Sequence, residues 1–113
     1  MSLFAQMGGK RQTFKLRDIA SASYTTLVPA QETVWTLDSL WATNDSGSAA
    51  TFILETYDGT NATVMVPNKS IAANDYLPVT DHHVTLEPGE ILRVKAGTNA
   101  VIDVTAVGIQ AVR

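Results

Sequence analysis

The chain has no cysteine, which removes disulfides, thiolate metal ligands and a cysteine nucleophile together. Stability must then come from packing or from assembly. Charge is scarce too, at 17% of residues against roughly 25% in ordinary globular domains. No apolar run approaches the ~20 residues of a membrane-spanning helix. The opening, MSLFAQMGGKRQ, has no basic region ahead of its short apolar stretch, so no secretory leader is expected and synthesis belongs in a cytoplasm. Lysine and glutamate, the straight charged residues that suit helices, number only four each.

What is present is β-branched. Fourteen threonines and eleven valines favour a pleated, half-buried surface, and no window holds helical apolar spacing over three turns. A chain of 113 residues can bury roughly two thirds of its surface as one domain without staples.

Period-two alternation recurs along the chain. In Thr13-Phe-Lys-Leu-Arg17, Phe14 and Leu16 point one way and Lys15 and Arg17 the other. Thr33 to Thr43 puts Trp35, Leu37 and Trp41 on one face, with Leu40 out of phase, so a bulge is expected near Ser39 or else a second covered surface. Strands are expected at ATFILETY, at ATVMV closed by Pro67, at DYLPV, at VTL, at ILRVKA and over the final Ala100 to Val112; Asp58-Gly59 is the strongest hairpin signal. The expected fold is all-β, an antiparallel β-sandwich or jelly roll of about eight strands with an extended N-terminal arm. Residues 1–31 read as the arm and first strand, and residues 32–113 as the sandwich body.

Charge is unevenly placed. Residues 1–17 carry Lys10, Arg11, Lys15 and Arg17 and no acid, for +4, whereas the remainder carries −7. A basic arm on an acidic body is drawn to an identical neighbour or to another acidic surface. A body at −7 repels phosphate and no aromatics interleave the cations, so nucleic acid is not an expected partner.

Chemistry is hard to place on these residues. His82 and His83 are adjacent, and successive strand side chains point to opposite faces, so they do not make a metal pair; Asp81 and Glu87 beside them read as turn residues. Asp45, Asp58, Asp75, Glu87 and Glu90 fall in expected turns, and Asp38, Glu55 and Asp103 on solvated strand faces. There is no G-x-S-x-G and no phosphate-cradling glycine loop. We therefore assign no catalytic residue, no metal and no cofactor. Sugar binding would need exposed aromatics, for which Trp35, Trp41, Tyr57 and Tyr76 are the candidates; Trp35 and Trp41 read as core and Tyr57 as exposed. Asn44, Asn61 and Asn68 match the glycosylation pattern and, without a leader, read as loop asparagines.

The Ser-Gly-Ser-Ala-Ala entry to an apolar strand, SIAAN before a short strand, Leu86-x-Pro88-Gly89-x-x-Leu92 and the Val/Thr closing strand lie between residues 33 and 110. In these the chain resembles the small β-sandwich structural proteins of tailed bacteriophage virions. That resemblance implies a non-enzymatic virion component, with capsid decoration as the first placement and neck or tail accessory the next. It also implies a homo-oligomer in contact with other virion proteins such as the major capsid protein. A carbohydrate-binding module of a fibre or surface protein is the alternative. In the first reading the arm makes the contacts, with Phe14 and Leu16 as apolar anchors and Lys10, Arg11, Lys15 and Arg17 as steering charges.

Overall fold

The computed structural model of the chain describes residues 9–79, 84–98 and 100–111. The described residues form nine strands and no helix. In chain order they are β1 (Gly9–Leu16), β2 (Thr25–Val28), β3 (Trp35–Asn44), β4 (Ala50–Tyr57), β5 (Ala62–Ile71), β6 (Asp75–Val79), β7 (Thr85–Leu86), β8 (Ile91–Ala96) and β9 (Ile102–Ala111). One sheet runs β1-β9-β3-β6, with β7 also on β3, and the other runs β2-β8-β4-β5. All pairings are antiparallel. The protein is a β-sandwich. Corresponding positions of the two sheets hold strands adjacent in the chain: β1 and β2, β9 and β8, β3 and β4, β6 and β5.

Alternation builds the core. Phe52 and Leu54 from β4, Leu92, Val94 and Ala96 from β8, and Ile102, Val104 and Ala106 from β9 all lie buried between the sheets. Trp35 is fully buried at the start of β3, with Phe14 edge-on to its ring at 6.2 Å between centroids. The indole lies directly over Gly108 of β9, where a Cβ would overlap its ring atoms. That position requires glycine because of the close approach.

Two strand expectations change. β3 does contain a bulge, between Leu37 and Ser39. The inserted residue reverses the phase, so Leu40, Ala42 and Asn44 are buried after it, and Trp41 turns outward rather than joining Trp35 in the core. β5 does not close at Pro67 but continues to Ile71, passing two register shifts against β4, with Asn68 at φ 39°. Being the last strand of its sheet, β5 can carry a proline that a central strand would reject. The Asp58-Gly59 turn forms as expected, with Gly59 at φ 101° and Asp58 Oδ1 accepting from the Thr60 and Asn61 amides. Those two amide bonds hold the Asp58 carboxyl below its ordinary pKa.

Asn44 is fully buried and not a loop asparagine. Its Nδ2 donates to the carbonyls of Ser48, Ile71 and Ala72 at 2.8, 3.0 and 3.3 Å. Its Oδ1 accepts from the Ser46 amide and hydroxyl at 3.0 and 2.8 Å. One side chain thus joins the end of β3, the loop after it and the β5–β6 connection. Replacing it by alanine leaves several buried carbonyls unpaired, each worth about 1–3 kcal/mol. Asn44→Ala should lower the calorimetric melting temperature by more than ~10 °C, whereas Asn61→Ala, at an exposed turn position, should leave it within about 2 °C.

Candidate interaction surface

The outward faces of the two sheets differ in kind. On the four-stranded sheet, Glu55 of β4 faces Arg93 of β8 in register. Glu55 was expected to be solvated, yet it is only 3% exposed. Its Oε2 accepts from Arg93 Nε at 2.7 Å and Nη2 at 2.6 Å. The guanidinium sits 3.8 Å from the ring centroid of Tyr57 and 4.6 Å from that of Tyr24, which also has Lys95 Nζ at 5.3 Å. Tyr57, expected to be exposed, is therefore half-buried beneath this cation, and its hydroxyl donates to the Gly59 carbonyl at 2.9 Å. The ion pair is satisfied within the chain and roofed by two rings. It is a closed structural cluster rather than an open site.

Burial raises the Tyr24 pKa, and the hydrogen bond and charge of Glu55 add to the effect, against the opposing charge of Arg93. A raised folded-state pKa means that the unfolded chain loses its proton first as pH rises. Stability contributed this way is complete below the ordinary tyrosine pKa near 10 and is lost as pH climbs from there toward the folded value. Tyr24→Phe should therefore flatten the alkaline decline in urea-unfolding free energy above pH ~10. An unchanged slope would show that Tyr24 does not couple to this cluster.

The outward face of the five-stranded sheet is open. Ser39, Trp41 and Thr43 of β3 lie beside Tyr76 and Pro78 of β6, with Trp41 opposite Pro78 and Thr43 opposite Tyr76. These residues and Leu40 line a shallow depression of about 390 Å³. Trp41 is 39% exposed and Tyr76 60% exposed. At the opposite end of the same sheet runs β1, whose Arg11, Thr13 and Lys15 face outward with Arg17 just beyond them. Arg11 makes an exposed ion pair with Asp38 at 3.7 Å. Lys10, Lys15 and Arg17 form no ion pair among the described residues.

The residues read as an arm are placed as follows. β1 pairs along its whole length with β9 of the same chain, from Gly9 opposite Ala111 to Leu16 opposite Val104. Phe14 and Leu16 are half-buried against their own core. Arg11 and Lys15 lie on the outward face, Lys10 is exposed near the start of the strand, and among the described residues no strand pairs with the outer edge of β1. Thus the strand at residues 9–16 belongs to the sandwich itself, and β2 supplies a second strand from within residues 1–31. Asp81, His82 and His83 lie outside the described residues, as do residues 1–8. Among the described residues no three metal-ligating side chains gather. The acids expected to cap turns do so at Asp58, at Asp75, whose Oδ1 accepts from the Tyr76 amide, and at Glu90, which accepts from the Glu87 amide.

No family model matches the chain, and no curated protein matches it either. Solved structures do share its fold. A pentameric capsid protein from metagenomic phage sequences aligns at TM-score 0.55 and 17% identity, over 97% of this chain and 64% of that one. This chain therefore spans under two thirds of that capsid protein. A subunit of the disulfide-linked pili of Bacillus endospore appendages aligns at 0.59 and 11% identity, over 92% of this chain and 88% of that one. The core of Drosophila NLP, itself a pentamer, aligns at 0.54 and 8% identity, over 90% and 97%. At these identities the likeness is one of fold. The class is an all-β sandwich, a fold also found in these capsid, pilus and pentameric proteins.

The exposure of Trp41 has an energetic signature. Trp41→Ala and Tyr76→Ala remove surface aromatics and should each cost less than about 1 kcal/mol in urea unfolding. Trp35→Ala empties the core beneath β1 and should cost about 3–5 kcal/mol. Equal costs for Trp41 and Trp35 would mean that Trp41 is packed inside.

Proposed function

We propose that this protein is a non-enzymatic structural subunit of a phage virion. In this reading it is a capsid decoration protein, or a related neck or tail component, working as a homo-oligomer. The observation that carries the reading is the open face of the five-stranded sheet, with exposed aromatics at one edge and a run of cations at the other. A monomer gains nothing from leaving a tryptophan and a tyrosine in water side by side, whereas a subunit contact covers them. The aligned strand orders of the two sheets support a jelly-roll winding, an architecture used by viral capsid domains. Likeness in fold to a pentameric phage capsid protein supports the same placement.

The contact we assign to the N-terminal segment uses Lys10, Arg11, Lys15 and Arg17 as charges that meet a neighbouring copy or the major capsid protein. Phe14 and Leu16 serve from below, since a neighbour laid along the unpaired edge of β1 would complete their cover. Residues 9–16 cannot simply be removed to test this, because doing so would strip the sheet and uncover Trp35. Light scattering of the pure protein should instead report one discrete oligomer whose mass holds on dilution through the micromolar range. Particles purified from the encoding phage should contain the chain in many copies. A strict monomer that is also absent from particles would refute the proposal.

A further inference from the structure

We propose that copies of this chain join head to tail. The cationic strand β1 of one subunit seats against the Trp41–Tyr76 platform and acidic rim of the next. This rests on the homo-oligomer reading above and adds to it the geometry and the chemistry of the contact.

The two ends of the five-stranded sheet differ in charge. β1 closes one end, and β6 with β7, both paired to β3, closes the other. Three strand spacings separate them, about 14 Å. β1, with Arg17 just beyond it, carries Lys10, Arg11, Lys15 and Arg17; Arg11 is paired with Asp38 of β3, and Asp18 and Asp103 lie at the end of the strand, which leaves this end with an excess of cations. The β6–β7 end carries exposed Asp75 and Glu87, with Glu90 half-buried in the turn after β7, and no lysine or arginine from Ser70 to Leu92. The signs are opposite, and they sit at opposite sides of the molecule.

That placement argues against a two-fold contact made through either end alone. A two-fold contact through either end lays a patch against its own copy, bringing cations onto cations or acids onto acids. A head-to-tail contact lays cations on acids at every interface. Repeated, it closes a ring or extends a filament. The β6 end also offers what cations seek besides acids. Trp41 and Tyr76 present exposed ring faces beside Asp75, and a guanidinium or ammonium over such a ring gains a cation–π contact. The chain already holds Arg93 in this way between Tyr24 and Tyr57.

Side chains rather than an added strand would make the contact. β6 is only five residues long and lacks one N–H at Pro78, features that blunt an edge against strand addition. β1 is longer, with outward cations that discourage β1 from pairing with another β1.

Charge reversal tests this with the full chain. Lys15→Glu with Arg17→Glu, and separately Asp75→Lys with Glu87→Lys, alter only exposed side chains, and circular dichroism should show each variant folded. Either pair should weaken assembly about tenfold or more, read by light scattering or analytical ultracentrifugation on dilution. The fourfold swap restores complementarity at every contact and should recover the wild-type oligomer. Raising salt should dissociate the wild type and the swap alike. Trp41→Ala with Tyr76→Ala should weaken assembly and leave its salt dependence in place.

Wild-type protein that assembles equally well after both reversals overturns the head-to-tail contact and leaves the homo-oligomer reading standing. A wild-type monomer overturns both. Failure of the swap to recover what the reversals lose also overturns it. So does saturable binding on a glycan array that is lost in Trp41→Ala, when assembly is unmoved by that variant; the platform would then be a sugar site.

Discussion

One inserted residue in the central strand sets what this protein shows to its surroundings. β3 lies between β9 and the β6–β7 edge, so its side chains decide both the middle of the core and the middle of the outer face. With the shift between Leu37 and Ser39, Trp35 and Leu37 enter the core before the bulge, and Leu40, Ala42 and Asn44 enter it after. In an unbroken strand, Trp41 would share the phase of Trp35 and Leu37, and Leu40, Ala42 and Asn44 would face water. The carboxamide that joins three segments would then have nothing to join. Core packing, the Asn44 hydrogen bonds and the exposed aromatic platform follow from the same local irregularity.

This explains which parts of the fold the sequence disclosed. Strand identity was legible wherever alternation was unbroken: β4, β6 and β8 occupy the spans read from ATFILETY, DYLPV and ILRVKA. The bulge itself was legible in the phase error at Leu40. Its consequence for Trp41 was not, because hydrophobicity argues for burial and a phase flip argues against it, and only geometry tells which wins. β5 was cut short at Pro67 because proline rejects a central strand, and a sequence does not say which strands lie at an edge.

The candidate surface was legible in its charges and not in its aromatics. The concentration of four cations in residues 1–17 is a fact of composition. Where they point depends on the pairing of β1 with β9, a contact across about ninety residues of chain that no local pattern encodes. Phe14 and Leu16 alternate as any strand with one covered face does, and the covering surface proves to be largely Trp35 and its own core. Glu55 was misjudged for a related reason. Alternation places it outward correctly, but Tyr24, Tyr57 and Arg93 arrive from elsewhere in the chain and roof it over.

The contrast between the two outer faces is the deeper constraint on function. Both sheets carry aromatics on the outside, but the four-stranded sheet consumes its own. Tyr24 and Tyr57 clamp Arg93, which neutralises Glu55, and the cluster presents little unsatisfied chemistry to a partner. On the five-stranded sheet the corresponding elements are kept apart. Its aromatics, Trp41 of β3 and Tyr76 of β6, and its cations on β1 lie on opposite sides of β9. Among the described residues no cation of β1 lies over either ring. The interaction completed within one chain on one face is left divided on the other, and the head-to-tail contact we propose would complete it between copies.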